Sequence, residues 1–351
     1  MKAASVWICV TLLLLSPALL AAEDGRTVSG SPEGSWLASA EKLAAEAGVR
    51  GEEGAAPPPA GEGPPPAGDG PPLPLHTIEG VGGALAVPMA YLVNPGPEGT
   101  KVGKPAVSAS FLGLGNKNLT VIAVTETFFR RVELGYAAGR FDIGNLGHVA
   151  KKISNGGIRL NRRDIWLHNF NARVMVIPEN TEILGIPMPG IVAGIQAKFN
   201  GGVQGIDDTA GGAFTAIGLE RSNGIDYVVT ASKMFPTLLF GRPLILTFGV
   251  RNSQASNFGY TGFADECSTT VEFDVATLLL DNLAIGYEFR ERNDPYDRAK
   301  PLHKGEDNLH AIRAAWLIDD HLVLAAGWAC MGNVGNTRVD CAWGIQVKYE
   351  F

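Results

Sequence analysis

Apolar and polar side chains alternate through the last eleven residues of the chain. Cys341, Trp343, Ile345, Val347, Tyr349 and Phe351 share one face of a strand, and Ala342, Gly344, Gln346, Lys348 and Glu350 share the other, because strand side chains point to opposite faces with period two. The alternation recurs upstream. Leu283, Ile285, Tyr287 and Phe289 oppose Ala284, Gly286, Glu288 and Arg290, and Val271, Phe273 and Val275 oppose Glu272, Asp274 and Ala276. Leu244, Leu246, Phe248 and Val250 oppose Thr247, Gly249 and Arg251, and Ile191, Ala193, Ile195 and Ala197 oppose Gln196 and Lys198. Strands are expected near 105–112, 118–128, 131–141, 164–177, 189–199, 225–235, 243–252, 269–280, 283–292, 308–318, 321–331 and 341–351. Segments of roughly 9–11 residues, apolar outward and polar inward with aromatic residues near their ends, have the pattern of a transmembrane β-barrel.

The connections sort by length. With Phe351 at one rim, the links at Phe129-Arg130, 178–188, Pro236–Arg242, Asp281-Asn282 and Asp319-Asp320 fall on that side, and most are short. The long links 142–163, 200–224, 253–268, 293–307 and Gly332–Asp340 fall on the other. Barrels of the outer membrane keep short periplasmic turns and long extracellular loops. The reading is an all-β chain forming an antiparallel transmembrane barrel of about twelve strands over 105–351. Fourteen is the alternative, adding a strand in 206–219 and one in the segment 76–104. That segment is associated with the barrel as a plug or an extra strand, and 76–93 is expected to fold into the lumen or lie at its mouth. The register of Trp343, Ile345, Val347, Tyr349 and the terminal Phe351 resembles the C-terminal signal read by the outer-membrane insertion machinery of Gram-negative bacteria.

The N-terminal part differs in texture. Lys2, the apolar run Val6–Leu20 and Ala21-Ala22 read as a secretory signal peptide over 1–22. Beyond it no stretch has the 18 or so apolar residues that a membrane helix needs. Residues 23–75, with Pro57-Pro58-Pro59, Pro64-Pro65-Pro66 and Pro71-Pro72, form an acidic segment rich in Pro, Ala and Gly. Such a composition cannot bury a core, so a disordered periplasmic segment is expected, with a short helix near Ser35–Ala47 as a transient feature. Most of the net charge of −7 sits there. Nothing is basic enough to suggest a nucleic-acid partner. Cys267, Cys330 and Cys341 remain after export. Cys330 and Cys341 flank Gly335-Asn336 symmetrically, so a hairpin there would set them opposite each other as a candidate disulfide, with some strain.

Charges are expected to face inward, since a Lys or Arg at the lipid midplane costs about 2–4 kcal/mol. The inward set is Glu133, Arg173, Lys198, Arg251, Glu272, Asp274, Glu288, Arg290, Arg313 and Lys348, with Asn169, Asn171, Gln196 and Glu350. It reads either as a selectivity ladder or as salt bridges that fill the interior. Catalysis has weaker support. An outer-membrane hydrolase needs a serine beside a histidine, and His168 next to Trp166 faces lipid in this register without a serine to join it. Ser154 lies on the neighbouring loop without a suitably spaced histidine. His303, Glu306, Asp307 and His310 are types that suit zinc, but their mixed spacing in a polar loop reads as solvation, and no metal or other cofactor is assigned.

Several separated motifs also look familiar in their order. Leu75-His-Thr-Ile-Glu-Gly-Val-Gly-Gly83, Asn94-Pro-Gly-Pro-Glu-Gly99, Gly205-Ile-Asp-Asp208 with Gly211-Gly-Ala213, Asp226-Tyr227, Ser232-Lys-Met-Phe-Pro236 and Tyr287-Glu-Phe-Arg290 before Asp294-Pro-Tyr296 resemble the proteobacterial family catalogued as domain of unknown function 3034. The resemblance covers roughly 75–351 and implies an outer-membrane-type barrel without an established activity. The functional expectation is a narrow channel or transport component for a small solute or a polymer segment. The alternative is a non-conducting structural or docking barrel that recruits periplasmic partners through its tail and loops. In either case the expected partners are outer-membrane lipid and the insertion machinery.

Overall fold

The computed structural model describes residues 74–144, 151, 155, 164–209, 211–212, 215, 221–292, 306–334, 337–339 and 341–351. The signal-peptide and Pro-rich segments expected over 1–22 and 23–75 lie outside them, except for Pro74 and Leu75. Twelve long strands close into one antiparallel barrel. They are β1 (Ala106–Leu114), β2 (Lys117–Phe128), β3 (Val132–Asp142), β4 (Asp164–Ile177), β5 (Gly190–Gly201) and β6 (Asn223–Leu239), then β7 (Arg242–Ala255), β8 (Phe263–Leu280), β9 (Leu283–Arg290), β10 (Leu309–Leu317), β11 (Leu322–Cys330) and β12 (Ala342–Glu350). Each strand pairs with the next, and β12 closes on β1 from Trp343↔Gly113 to Glu350↔Ala106. Closure leaves no edge with unpaired backbone groups, which hydrocarbon would penalise heavily. No described helix is long and apolar enough to cross a membrane.

At the Phe351 rim most connections are tight, the exception being the link from Ile177 to Gly190, where Glu182–Ile183 pairs with Ile186–Pro187. Phe129 and Arg130 both take positive φ (53° and 55°), as do Phe240 and Gly241 (51° and 78°), the twist that suits a two-residue hairpin turn. β6 therefore runs to Leu239, through the stretch from Pro236 that the alternation left as a loop. At Asp319 the carboxylate accepts the N–H groups of His321 and Leu322, both at 2.8 Å, which holds it below the ordinary carboxylate range. At the opposite rim, β8 begins at Phe263, well before the expected 269. The residues between β7 and β8 do not loop outward. Asn257, Phe258 and Gly259 all take positive φ and fold in, burying Phe258 and Tyr260. Asn200 on β5 ties them down by donating to the carbonyls of Gly259 (2.7 Å) and Tyr260 (3.0 Å). The 206–219 stretch offered for a fourteenth strand contributes a short helix, Val203–Thr209, in its described part.

The outward positions carry the large exposed apolar residues. Ile122, Val229 and Ile312 occupy mid-strand, and Trp166, Phe199, Trp328 and Trp343 ring the rim opposite Phe351. Trp316, Tyr349 and Phe351 lie at the other. That is a lipid-facing band with aromatic girdles. Inward positions divide along the axis. At mid-height they are mostly polar, and toward the Phe351 rim polar positions mix with the buried apolar Val192, Ile245, Ala276, Ala315 and Val323. Near the opposite rim Leu114, Leu119, Val121, Phe141, Ile165, Leu167 and Leu309 pack with Phe258 and Tyr260. The inward set predicted from the alternation holds only polar and charged residues, and these apolar inward positions add to it.

Candidate functional site

Residues 74–93 occupy the lumen. The segment enters at the Phe351 rim, where Pro74 O accepts from Lys348 Nζ, and returns to it, where Asn94 Nδ2 reaches Phe351 O. Between these points nearly every residue is buried, and Leu75-His76 pairs with Gly82-Gly83 as a miniature hairpin. Gly80 makes the bend possible. Its φ is +80°, and a Cβ there would sit 2.5 Å from Ala137 Cβ on the wall, so only glycine meets both demands.

A peptide inside a barrel must still satisfy its backbone groups, and the wall supplies the partners. Glu133 on β3 accepts the N–H groups of Gly82 (3.1 Å) and Val93 (2.8 Å). Arg173 on β4 pairs with Glu133 at 2.7 Å and donates to the carbonyls of Gly82 (2.9 Å), Met89 (2.8 Å) and Tyr91 (3.1 Å). Asn171 donates to Glu79 O and Gly80 O. Gln346 on β12 brackets His76, accepting its N–H at 3.2 Å and donating to its carbonyl at 2.7 Å. The His76 ring bridges Ser108 and Thr125 at 2.8 Å each.

Two clusters on the wall carry unbalanced charge, and the segment matches both. In the first, Lys198, Arg251 and Arg290 face only Asp226 and Glu272 from the wall. Lys198 and Arg251 meet Asp226 at 2.6 and 2.9 Å, and Arg251 and Arg290 approach Glu272 at 3.4 and 3.6 Å. The missing anion is Glu79 of the segment, whose carboxylate lies 2.5 Å from Lys198, 3.1 Å from Arg251 and 2.6 Å from Arg290. In the second, Asp274 and Glu288 face Arg313, which pairs with Asp274 and lies 3.3 Å from Glu288. The excess carboxylate charge on Glu288 accepts three successive N–H groups of the segment, from Leu85 (3.1 Å), Ala86 (2.7 Å) and Val87 (3.0 Å). The carboxylate balances the first cluster and the run of peptide N–H groups solvates the remaining negative charge of the second, so each charge has close partners, the condition for burying ions at tolerable cost.

Glu133, Arg173, Lys198, Arg251, Glu272, Asp274, Glu288, Arg290 and Arg313 are buried and come together around the segment. Lys348 pairs with Glu350 nearer the rim. Sequence reasoning missed Glu79 and Asp226 as functional residues, although both fall within the motifs that carry the family resemblance. Asn169, also inward, is fully buried without a hydrogen-bond partner for either amide atom. Trp343, Ile345, Val347 and Tyr349 face outward on β12, with Phe351 just beyond it. Cys330 and Cys341 are exposed free thiols and not a disulfide. The register that pairs Ala329 with Ala342 makes them direct cross-strand neighbours if continued one step, a span that strains a bridge. His168 faces outward and its Nδ1 meets the Tyr136 hydroxyl at 2.8 Å. His310 does the same with Tyr287 at 2.7 Å. Among the described residues no group of three or more His, Cys, Asp or Glu is placed to hold a metal ion, and His303 lies outside them.

Beyond the segment, toward the rim opposite Phe351, lies an apolar chamber of about 80 Å³. Its floor is Ile78, Leu85 and Ala86 of the segment. Its walls include Leu112, Leu119, Phe141, Leu309 and Ala311, and Phe258 and Tyr260 of the inturned loop line it as well.

No curated protein matches the chain. Among solved structures, a KdgM porin in complex with disordered oligogalacturonate is 9% identical, with a TM-score of 0.41, covering 70% of this chain and 99% of that one. The outer membrane protein Omp33 of Acinetobacter baumannii is 10% identical with a TM-score of 0.37, covering 72% and 99%. Outer membrane phospholipase A of Escherichia coli is 7% identical with a TM-score of 0.32, covering 70% and 91%. The family model described as protein of unknown function (DUF3034) matches residues 74–348, from the lumenal segment through the last strand, and the chain belongs to that family.

Proposed function

We propose that this chain is an outer-membrane barrel that passes a small solute, and that residues 74–93 close it at rest. A closed barrel with a lipid-facing apolar band and aromatic girdles supports the membrane placement, with the short-turn rim periplasmic. The observation that carries the functional reading is the way the segment is held. Beside apolar packing of Leu75, Val87, Met89, Ala90, Tyr91 and Leu92 against the wall, it is bound by charge-assisted hydrogen bonds to buried side chains that water would solvate if it left. The wall charges act as the latch of a movable peptide, and passage requires the segment to withdraw toward the rim by which it entered. A second reading, a docking barrel that never conducts, is favoured by the completeness of the same closure.

Single-channel conductance in a planar bilayer separates the two. Full-length protein should be silent or open rarely, and a variant lacking 74–93, shown to be folded by heat-modifiable gel mobility, should give discrete steps. Silence from the folded deletion variant leaves only the docking reading.

A further inference from the structure

The Glu79 carboxylate occupies a socket that belongs to the wall. Lys198, Arg251 and Arg290 surround it, and without it these three cations face two wall anions. A carboxylate held by ammonium and guanidinium groups in a dry site is a strong and geometrically specific arrangement. Any other carboxylate of suitable reach would meet the same three groups.

The socket adjoins the apolar chamber. Ile78, next to Glu79 in sequence, forms part of the chamber floor. Arg290 donates to the carbonyl of Ala86, another floor residue, at 3.2 Å. The Arg290 guanidinium also stacks on the Phe258 ring, 4.1 Å from its centroid, a favourable contact that orients the side chain. The buried Tyr260 hydroxyl of the chamber has no hydrogen-bond partner. An apolar cavity can stay empty or take an apolar guest, and one of about 150 Å³ accepts benzene. At about 80 Å³ this chamber suits a short aliphatic chain better than an aromatic ring.

Together these features assign a ligand class. We propose that the barrel binds a short-chain aliphatic monocarboxylate, its hydrocarbon body in the chamber and its carboxylate in competition with Glu79 for Lys198, Arg251 and Arg290. Binding of the solute weakens the grip on the segment and biases it toward withdrawal, because a ligand shifts a two-state element by its differential affinity for the two states. This inference rests on the reading of 74–93 as a movable closure and names the solute that moves it.

The test uses the full-length protein in lipid nanodiscs, with ligand binding followed by calorimetry or ligand-observed NMR. The probes are butyrate, its neutral isostere butyramide, acetate and benzoate. Butyrate should bind at least tenfold tighter than butyramide, acetate or benzoate. Glu79→Gln removes the resident competitor, so it should tighten butyrate at least tenfold and leave butyramide unchanged. Ala311→Phe fills the chamber and should weaken butyrate at least tenfold, in the wild-type and Glu79→Gln backgrounds alike. If Glu79→Gln does not fold, Arg290→Met serves instead and should abolish the preference for butyrate over butyramide. Equal binding of butyrate and butyramide would overturn the socket, and acetate matching butyrate would overturn the chamber. Absence of binding by all four probes would overturn the proposal as a whole. Conductance of the variant lacking 74–93 reports separately on the channel, so a channel without a butyrate site and a site without a channel are distinguishable.

Discussion

Arg173 is the side chain whose loss should most loosen the lumenal segment. Its guanidinium donates to three segment carbonyls and neutralises Glu133, which itself accepts two segment N–H groups. Arg173→Met keeps most of the stem and removes every one of those donors. Hydrogen bonds to charged groups contribute about 1.5–3 kcal/mol each, but three on one guanidinium do not add fully. Removing one partner of a buried pair costs about 3–5 kcal/mol, because the other charge is stranded. Here Glu133 would be stranded beside the two N–H groups it holds. Water entering from the Phe351 rim offsets part of this, so about 3 kcal/mol is the working figure, roughly a hundredfold in the docking equilibrium. The twelve-strand ladder is untouched, so the barrel should keep its heat-modifiable mobility while the segment opens. Hydrogen exchange reads this locally: protection of the Gly82 and Val93 amides should fall about a hundredfold, with little change at Val121 or Val229 on the wall. Unchanged protection at Gly82 and Val93 in a folded variant would refute the latch, since the segment would then be held by something other than these contacts.

Other consequences follow from the same geometry. Gly80→Val should eject the segment and raise the open probability in bilayers, because a side chain at φ +80° is strained and would collide with Ala137; an unaltered, silent channel would count against it. Cys330 and Cys341 are exposed near the rim opposite Phe351, so both should react with a membrane-impermeant maleimide on intact cells. Labelling that needs a permeabilised outer membrane would reverse the assigned orientation. Asp319→Asn should lower the melting temperature at pH 7 by weakening the turn that binds the N–H groups of His321 and Leu322. A carboxyl group whose pKa is depressed in the folded state stabilises above its unfolded pKa and loses that contribution as pH falls through the folded value. The wild-type advantage should therefore vanish at pH below the ordinary carboxylate range, and a pH-independent difference would show that the charge is irrelevant.

The strands were legible because alternation is a local property. Lys348, Gln346 and Glu350 declare their side of β12 by period two alone, and the same holds for Glu288 and Arg290 on β9. The apolar half of the lumen was not legible in that way. Ile165-Trp166-Leu167 places large apolar residues at inward parity, yet a run apolar on both sides looks the same whether its inner face meets water or protein. The placement of 76–93 was equally open, since its Gly-rich sequence has no period at all. What fixes it is long-range: Glu79 meets Lys198, Arg251 and Arg290 from three different strands, and no spacing along the chain announces such a meeting. The inturned loop at Asn257-Phe258-Gly259 read as an external connection for the same reason, because its burial depends on Asn200, far away in sequence.

The charge arrangement also bears on what an opened lumen would select. A ladder that filters ions by sign needs rings of one charge facing the pore. Here each cluster mixes both signs, with one excess positive charge around Lys198, Arg251 and Arg290 and one excess negative charge around Asp274 and Glu288. The two excesses share strands β8 and β9, where Glu272 and Arg290 belong to the first and Asp274 and Glu288 to the second. Their fields largely cancel beyond a Debye length of about 8 Å. Such a wall would discriminate poorly between simple anions and cations in transit. It does discriminate sharply at contact distance, where a carboxylate fits one cluster and a run of N–H donors fits the other, as the segment's own Glu79 and residues 85–87 do. The charges are therefore better suited to recognising a shaped group, first the segment and then whatever displaces it, than to sorting ions by sign.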